Sequence, residues 1–142
     1  MIANYFEQYP AIKEYMESQI EFAKEHSYVE TIMKRRRYLR DIRSSNGMVR
    51  SFAERNAVNA PIQGSSADMI KIAMISIQEE LEKRQLKTKM ILQVHDELIF
   101  DCFKEEETEV RELVVERMKS AMELDVPIVV DINAGDNWLQ AH

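Results

Sequence analysis

Three consecutive residues, His95-Asp96-Glu97, place two carboxylates and an imidazole in one short connection. Adjacent acidic side chains repel, and Asp-Glu is a poor turn pair beside Asn-Gly or Asp-Gly, which accept positive φ. A bound divalent cation would remove that repulsion, and hard carboxylate oxygens are the ligands it takes. Asp96 and Glu97 are therefore candidate metal ligands and catalytic residues. The chemistry they suit is an in-line displacement clamped by two cations held roughly 3.5–4 Å apart. A solvated acidic turn would explain the same residues, and His95 alone would also suit a core position with a satisfied hydrogen bond.

A second constellation is Arg55, Asn59 and Gln63. Four-residue steps bring all three to one helical face, provided the helix continues past Pro61. Such side chains donate to phosphates, sugars and the minor-groove edges of base pairs. An exposed polar helix face with no ligand is the alternative.

The elements that must position these residues are legible from periodicity. Ile2, Tyr5, Phe6, Tyr9, Ile12, Met16, Ile20 and Ala23 recur at helical steps, with Pro10 either kinking the run or opening a second helix. Tyr28-Val29-Glu30-Thr31 is β-prone, and the basic run after it suits a loop or small hairpin. Ser44, Ser45 and Asn46 are candidate caps for a helix from about Gly47, expected to reach Asn59 before Pro61 interrupts it. A second helix follows, with Ser65 and Asp68 as a capping box and Ile70, Ala73, Met74, Ile77 and Leu81 as its buried face. Residues 89–94 and 98–103 read as strands of a hairpin with His95, Asp96 and Glu97 between them. An amphipathic helix over 105–122 and a third strand over 128–132 complete an α+β fold, with helices packed on one side of a small antiparallel β-sheet.

Composition sets the class. The 142 residues are 45% hydrophobic and 31% charged, as in a soluble globular domain. No apolar run reaches the ~20 residues of a membrane span, so no membrane partner is expected. A single cysteine, Cys102, excludes an internal disulfide framework and fits a reducing, cytoplasmic setting. The net charge of −6 speaks against a nucleic-acid partner, but its distribution weakens that argument. Residues 1–71 hold 11 Lys/Arg against 9 Asp/Glu, whereas residues 72–142 hold 8 against 16. A basic stripe between Lys34 and Arg55 can grip phosphates on an acidic protein, or it can be a solvated loop.

The segments Ala53–Lys71 and Gln93–Phe100 resemble stretches of bacterial family A DNA polymerases, the latter being similar to their motif C hairpin. Shorter matches at Phe6–Pro10, Tyr28–Thr31 and Asn137–His142 follow in the family's order, so the resemblance spans nearly the whole chain. It implies a partial fingers and palm: residues 1–45 as the end of the fingers, with a basic loop, and 46–142 as a palm portion carrying motif C. By position, Asp96 matches the aspartate that ligates catalytic magnesium, and Glu97 its acidic neighbour. His95 resembles a histidine near the primer terminus, while Arg55, Asn59 and Gln63 resemble residues that contact the primer–template duplex.

The resemblance thus implies DNA-directed nucleotidyl transfer from a dNTP to a primer 3′-hydroxyl, in replication or repair, with two Mg2+ ions. Two positions depart from the family pattern, which has Gly before the arginine run and often Pro after it, where this chain has Lys34 and Arg40. No match is found for the motif A aspartate or the nucleotide-binding helix of the fingers. The chain is therefore expected to be inactive alone, and unpacked surface would favour self-association. The competing reading is a non-catalytic DNA-binding or assembly module that retains the fold.

Overall fold

The computed structural model describes residues 2–141, with side chains from Tyr5 onward. Ile2 of the N-terminal stripe, as a side chain, and His142 of the closing match lie outside the described residues. The chain forms two compact units, Met1–Ser66 and Ala67–His142.

In the first unit, α1 (Ile2–Gln8) is followed by α2 (Pro10–His26). Pro10 opens α2, where its missing N–H costs nothing. The helix closes on Ser27 in the left-handed conformation, whose N–H donates to the Ala23 carbonyl at 2.8 Å. Strands β1 (Tyr28–Glu30) and β2 (Arg36–Tyr38) then pair antiparallel, so of the two alternatives for the basic run, loop or small hairpin, the structure takes the hairpin. Asn46 caps the next helix, its Oδ1 accepting from the N–H groups of Met48 and Val49. The core joins Ala23, Val29, Leu39 and Ile42 to Ala53, Ala57 and Ala60. Small side chains at helical spacing let the helix approach its neighbours closely. The N-terminal stripe is buried only at its end: Ala23 is enclosed, whereas Tyr5, Tyr9 and Ile12 are exposed.

Helix α3 spans Gly47–Lys83 with Pro61 inside it, so the expected interruption does not occur. Proline withholds one ladder N–H and crowds the preceding turn, and donors from other segments bind the carbonyls around it. Tyr15 Oη donates to the Val58 carbonyl at 3.2 Å, and Arg35 Nη2 to the Gly64 carbonyl at 3.1 Å. The expected capping box is also absent. Ser65 lies within the helix and donates back to the Pro61 carbonyl at 2.6 Å, while accepting from Ile32 N–H at 2.9 Å. A serine one turn after the proline can bond to that carbonyl because no helix starts there.

In the second unit, β3 (Lys89–Val94) and β4 (Glu97–Asp101) form an antiparallel hairpin, a 3-10 turn covers Lys104–Glu106, and α4 (Glu107–Lys119) follows. Ala73, Ile77 and Leu81 pack with Val110, Leu113 and Val114, and Met90, Leu98 and Phe100 of the hairpin lie against them. This is the expected α+β arrangement of helices on an antiparallel hairpin. Residues 128–132 are not a strand. Each sheet has two strands among the described residues, and this segment pairs with neither of them. It is tied down by Arg111, which donates to the Ile132 carbonyl at 3.1 Å. The chain closes with the short helix α5 (Trp138–Ala141).

Candidate functional site

The β3–β4 turn is tighter than its sequence suggests. Val94 pairs with Glu97, so Glu97 belongs to β4 and only His95 and Asp96 form the connection. His95 carries φ 54°, the positive value that the first residue of a tight hairpin turn requires. Asp96 and His95 are exposed at the tip, and Glu97 is half-buried in the strand. Gln93 Nε2 donates to the His95 carbonyl at 2.7 Å. An irregularity between Met90 and Leu92 sets the register that turns Leu98 and Phe100 toward the core. The structure therefore places Asp96 on a short, anchored support. Among the described residues, no group of three His, Cys, Asp or Glu could hold a metal ion. Asp96 and Glu97 can supply only part of a coordination sphere.

The helix condition for the second constellation is met. Arg55, Asn59 and Gln63 lie on uninterrupted α3, are all exposed, and share one face. Arg55 Nη1 donates to Ser51 Oγ at 3.2 Å, and its guanidinium lies 5.8 Å from the Phe52 ring centroid. Met48, Phe52 and Ile62 share that exposed face, which polar spacing alone did not reveal. The two constellations lie in different compact units.

The basic stripe is largely tied to the first unit itself. Arg36 pairs with Glu30 at 3.0 Å and lies over the Tyr28 ring at 4.4 Å. Arg37 donates to Asn56 Oδ1, Arg43 to the Lys24 carbonyl, and Arg50 to the Ser44 carbonyl. Neutral oxygens leave the positive charge of these guanidinia uncancelled, so the stripe keeps its field while bracing the fold. Glu106, not singled out by the sequence, accepts from the N–H groups of Lys87 and Thr88 and from Thr88 Oγ1. The Lys87 amide and the Thr88 hydroxyl hold its carboxyl below the usual carboxylate range.

Residues 1–140 match the family model described as DNA polymerase family A. The chain belongs to this family. The DNA polymerase I of Lactococcus lactis subsp. cremoris is 50% identical to this chain over 140 residues, and that of Caldicellulosiruptor bescii 46% over 139. These matches cover 99% and 98% of the chain but 16% of each relative, so it spans about one sixth of their length. Among solved structures, the POL domain of Pol1 from M. smegmatis, in complex with DNA primer-template and dNTP, superposes with a TM-score of 0.96. It is 41% identical, and the match covers 99% of this chain and 25% of that one. The family A resemblance read from the two long segments therefore holds, and so does the fold class.

Proposed function

We propose that this chain contributes one side of the catalytic centre of a DNA-directed DNA polymerase, which transfers a nucleotide from a dNTP to a primer 3′-hydroxyl. The observation that carries the reading is the superposition, over 99% of the chain, on a polymerase in complex with DNA primer-template and dNTP. In this reading residues 1–45 form the end of the fingers and 46–142 a palm portion. The exposed face of Arg55, Asn59 and Gln63 donates hydrogen bonds to the primer–template duplex near the reacting end, and His95 lies near the primer terminus. Such contacts fix register and orientation without reading sequence.

Asp96 holds magnesium, and Glu97 supports it from the adjoining strand. The donor chemistry fits, because magnesium takes hard oxygens and is often held by one or two carboxylates, with substrate phosphates and water completing the shell. When bound, two magnesium ions stabilise the attacking and leaving oxygens of the displacement. A motif A aspartate, for which this chain shows no match, supplies the opposing ligand, so the chain alone does not extend a primer. Replication or repair in the cytoplasm is the setting this activity implies.

The test joins the chain to the preceding polymerase segment of the Lactococcus lactis relative and measures primer extension. We expect extension to be restored, and Asp96→Ala to lower its rate by at least about 100-fold, the scale for losing preorganised charge stabilisation. Full activity of Asp96→Ala in that joined protein would reject the assignment of Asp96. Duplex binding without extension in the joined wild type would favour a non-catalytic DNA-binding module.

A further inference from the structure

Four non-glycine residues adopt a left-handed φ among the described residues: Ser27, Lys34, Gln85 and His95. Ser27 and Gln85 follow helix ends, where this conformation is a common termination and their N–H groups bond back to the last turn. Lys34 turns β1 toward β2. His95 differs in standing directly before Asp96, in a connection with no further residue to absorb the geometry. On backbone grounds the position asks for glycine. A side-chain-bearing residue persists there only when its surroundings over-determine the conformation.

Gln93 supplies that constraint. Its Nε2 faces the His95 carbonyl at 2.7 Å, and the carbonyl partner fixes which end of the amide points there, since only the nitrogen can donate. The bonded oxygen belongs to the peptide joining His95 to Asp96. Holding it sets the plane from which the Asp96 side chain departs. Gln93 reaches from a firm base, because it pairs with Leu98, which lies against the core of the second unit.

We propose that Gln93 is a positioning residue whose carboxamide holds the His95 peptide in its left-handed conformation and thereby aims the Asp96 carboxylate. This deepens the reading of Asp96 as a metal ligand and rests on that reading for its functional meaning. Gln93 itself touches no reacting atom.

The experiment is nuclear magnetic resonance on the chain, with Mn2+ as a paramagnetic probe at substoichiometric concentration. In the wild type, Mn2+ broadens the resonances of Asp96 and Glu97. Gln93→Leu moves the three-bond HN–Hα coupling of His95 away from its left-handed value and reduces the broadening at Asp96 several-fold. Gln93→Leu/His95→Gly restores the broadening, because glycine takes the required φ without support. A general packing role for Gln93 would not be rescued in this way. Resonances of α3 and α4 report folding, and Gln93→Met, which also lacks the donor, replaces the leucine variant if those resonances collapse. Unchanged coupling and broadening in the Gln93 variant overturns the proposal, as does a loss that His95→Gly does not restore. A wild-type tip untouched by Mn2+, with a His95 coupling that still depends on Gln93, overturns the metal reading and leaves the positioning role standing.

Discussion

Lys34 sits in the β1–β2 turn with φ 63°, donating its N–H to the Thr31 carbonyl at 2.9 Å. A Cβ in this region meets the following carbonyl at a cost of about 1–2 kcal/mol, partly offset in any glycine variant by the freer unfolded chain. The side-chain ion pair with Glu30, at 3.6 Å and with the lysine 80% exposed, contributes little. We therefore expect Lys34→Gly to stabilise the first unit by roughly 0.5–1 kcal/mol in urea unfolding. A loss of stability would show that the turn is relaxed with lysine. Glu106 makes the corresponding case for charge. Its folded-state pKa is depressed, chiefly by the Lys87 amide and the Thr88 hydroxyl. The stability it contributes is therefore present above the ordinary glutamate pKa and is lost as pH falls through the depressed value. Between about pH 6 and about pH 3, the melting temperature of Glu106→Gln should fall less steeply than that of the wild type. Parallel profiles would mean the clasp on the start of β3 carries no net linkage.

At the scale of elements, the decisive contact is the β1–β2 turn against α3. A Cβ built on Gly64 would lie 2.5 Å from Thr31 Cγ2 and 3.4 Å from Arg35 Nη2. Glycine is needed here for close approach, although it weakens a helix by about 1 kcal/mol relative to alanine. Gly64→Ala should consequently destabilise the first unit by about 1–3 kcal/mol despite its better helix propensity, as overpacking does. Thr31→Ser removes the methyl group and keeps the hydroxyl that accepts from Arg35 N–H. We expect it to recover most of the loss in the double variant. Additive losses in a double-mutant cycle would show that the two residues do not meet.

For the whole molecule, the exposed surface carries more apolar bulk than isolated side chains require. Met48 is 84% exposed, and Phe52, Ile62 and Ile91 are each at least 60% exposed. In a family whose two DNA polymerase I members compared above are about six times longer, such surface is the kind that other segments cover. Exposed apolar faces and the open edges of two-stranded sheets promote association. Light scattering should show an average mass that rises with concentration, and Phe52→Ser with Ile91→Lys should lower it. A monomer mass constant with concentration would reject self-association.

Periodicity and local chemistry located the helical stretches and the β3–β4 hairpin, and narrowed the cap of α3 to Ser44, Ser45 or Asn46, because the apolar spacing and cap chemistry behind them are properties of neighbouring residues. The same local signals made Asp96 and the Arg55, Asn59 and Gln63 face candidates. Tertiary structure decided what depended on distant partners. Pro61 reads as a break, yet α3 runs through it where Tyr15 and Arg35 bind its carbonyls, donors 43 and 29 residues away from the groups they reach. Ser65 reads as a cap and instead receives the Ile32 amide. Residues 128–132 have the composition of a strand, but a strand is defined by its pairing, and this segment joins neither hairpin. The two-residue turn that lifts Asp96 was likewise settled by strand register, since the pairing of Val94 with Glu97 is a relation between chains of residues and not a property of either one.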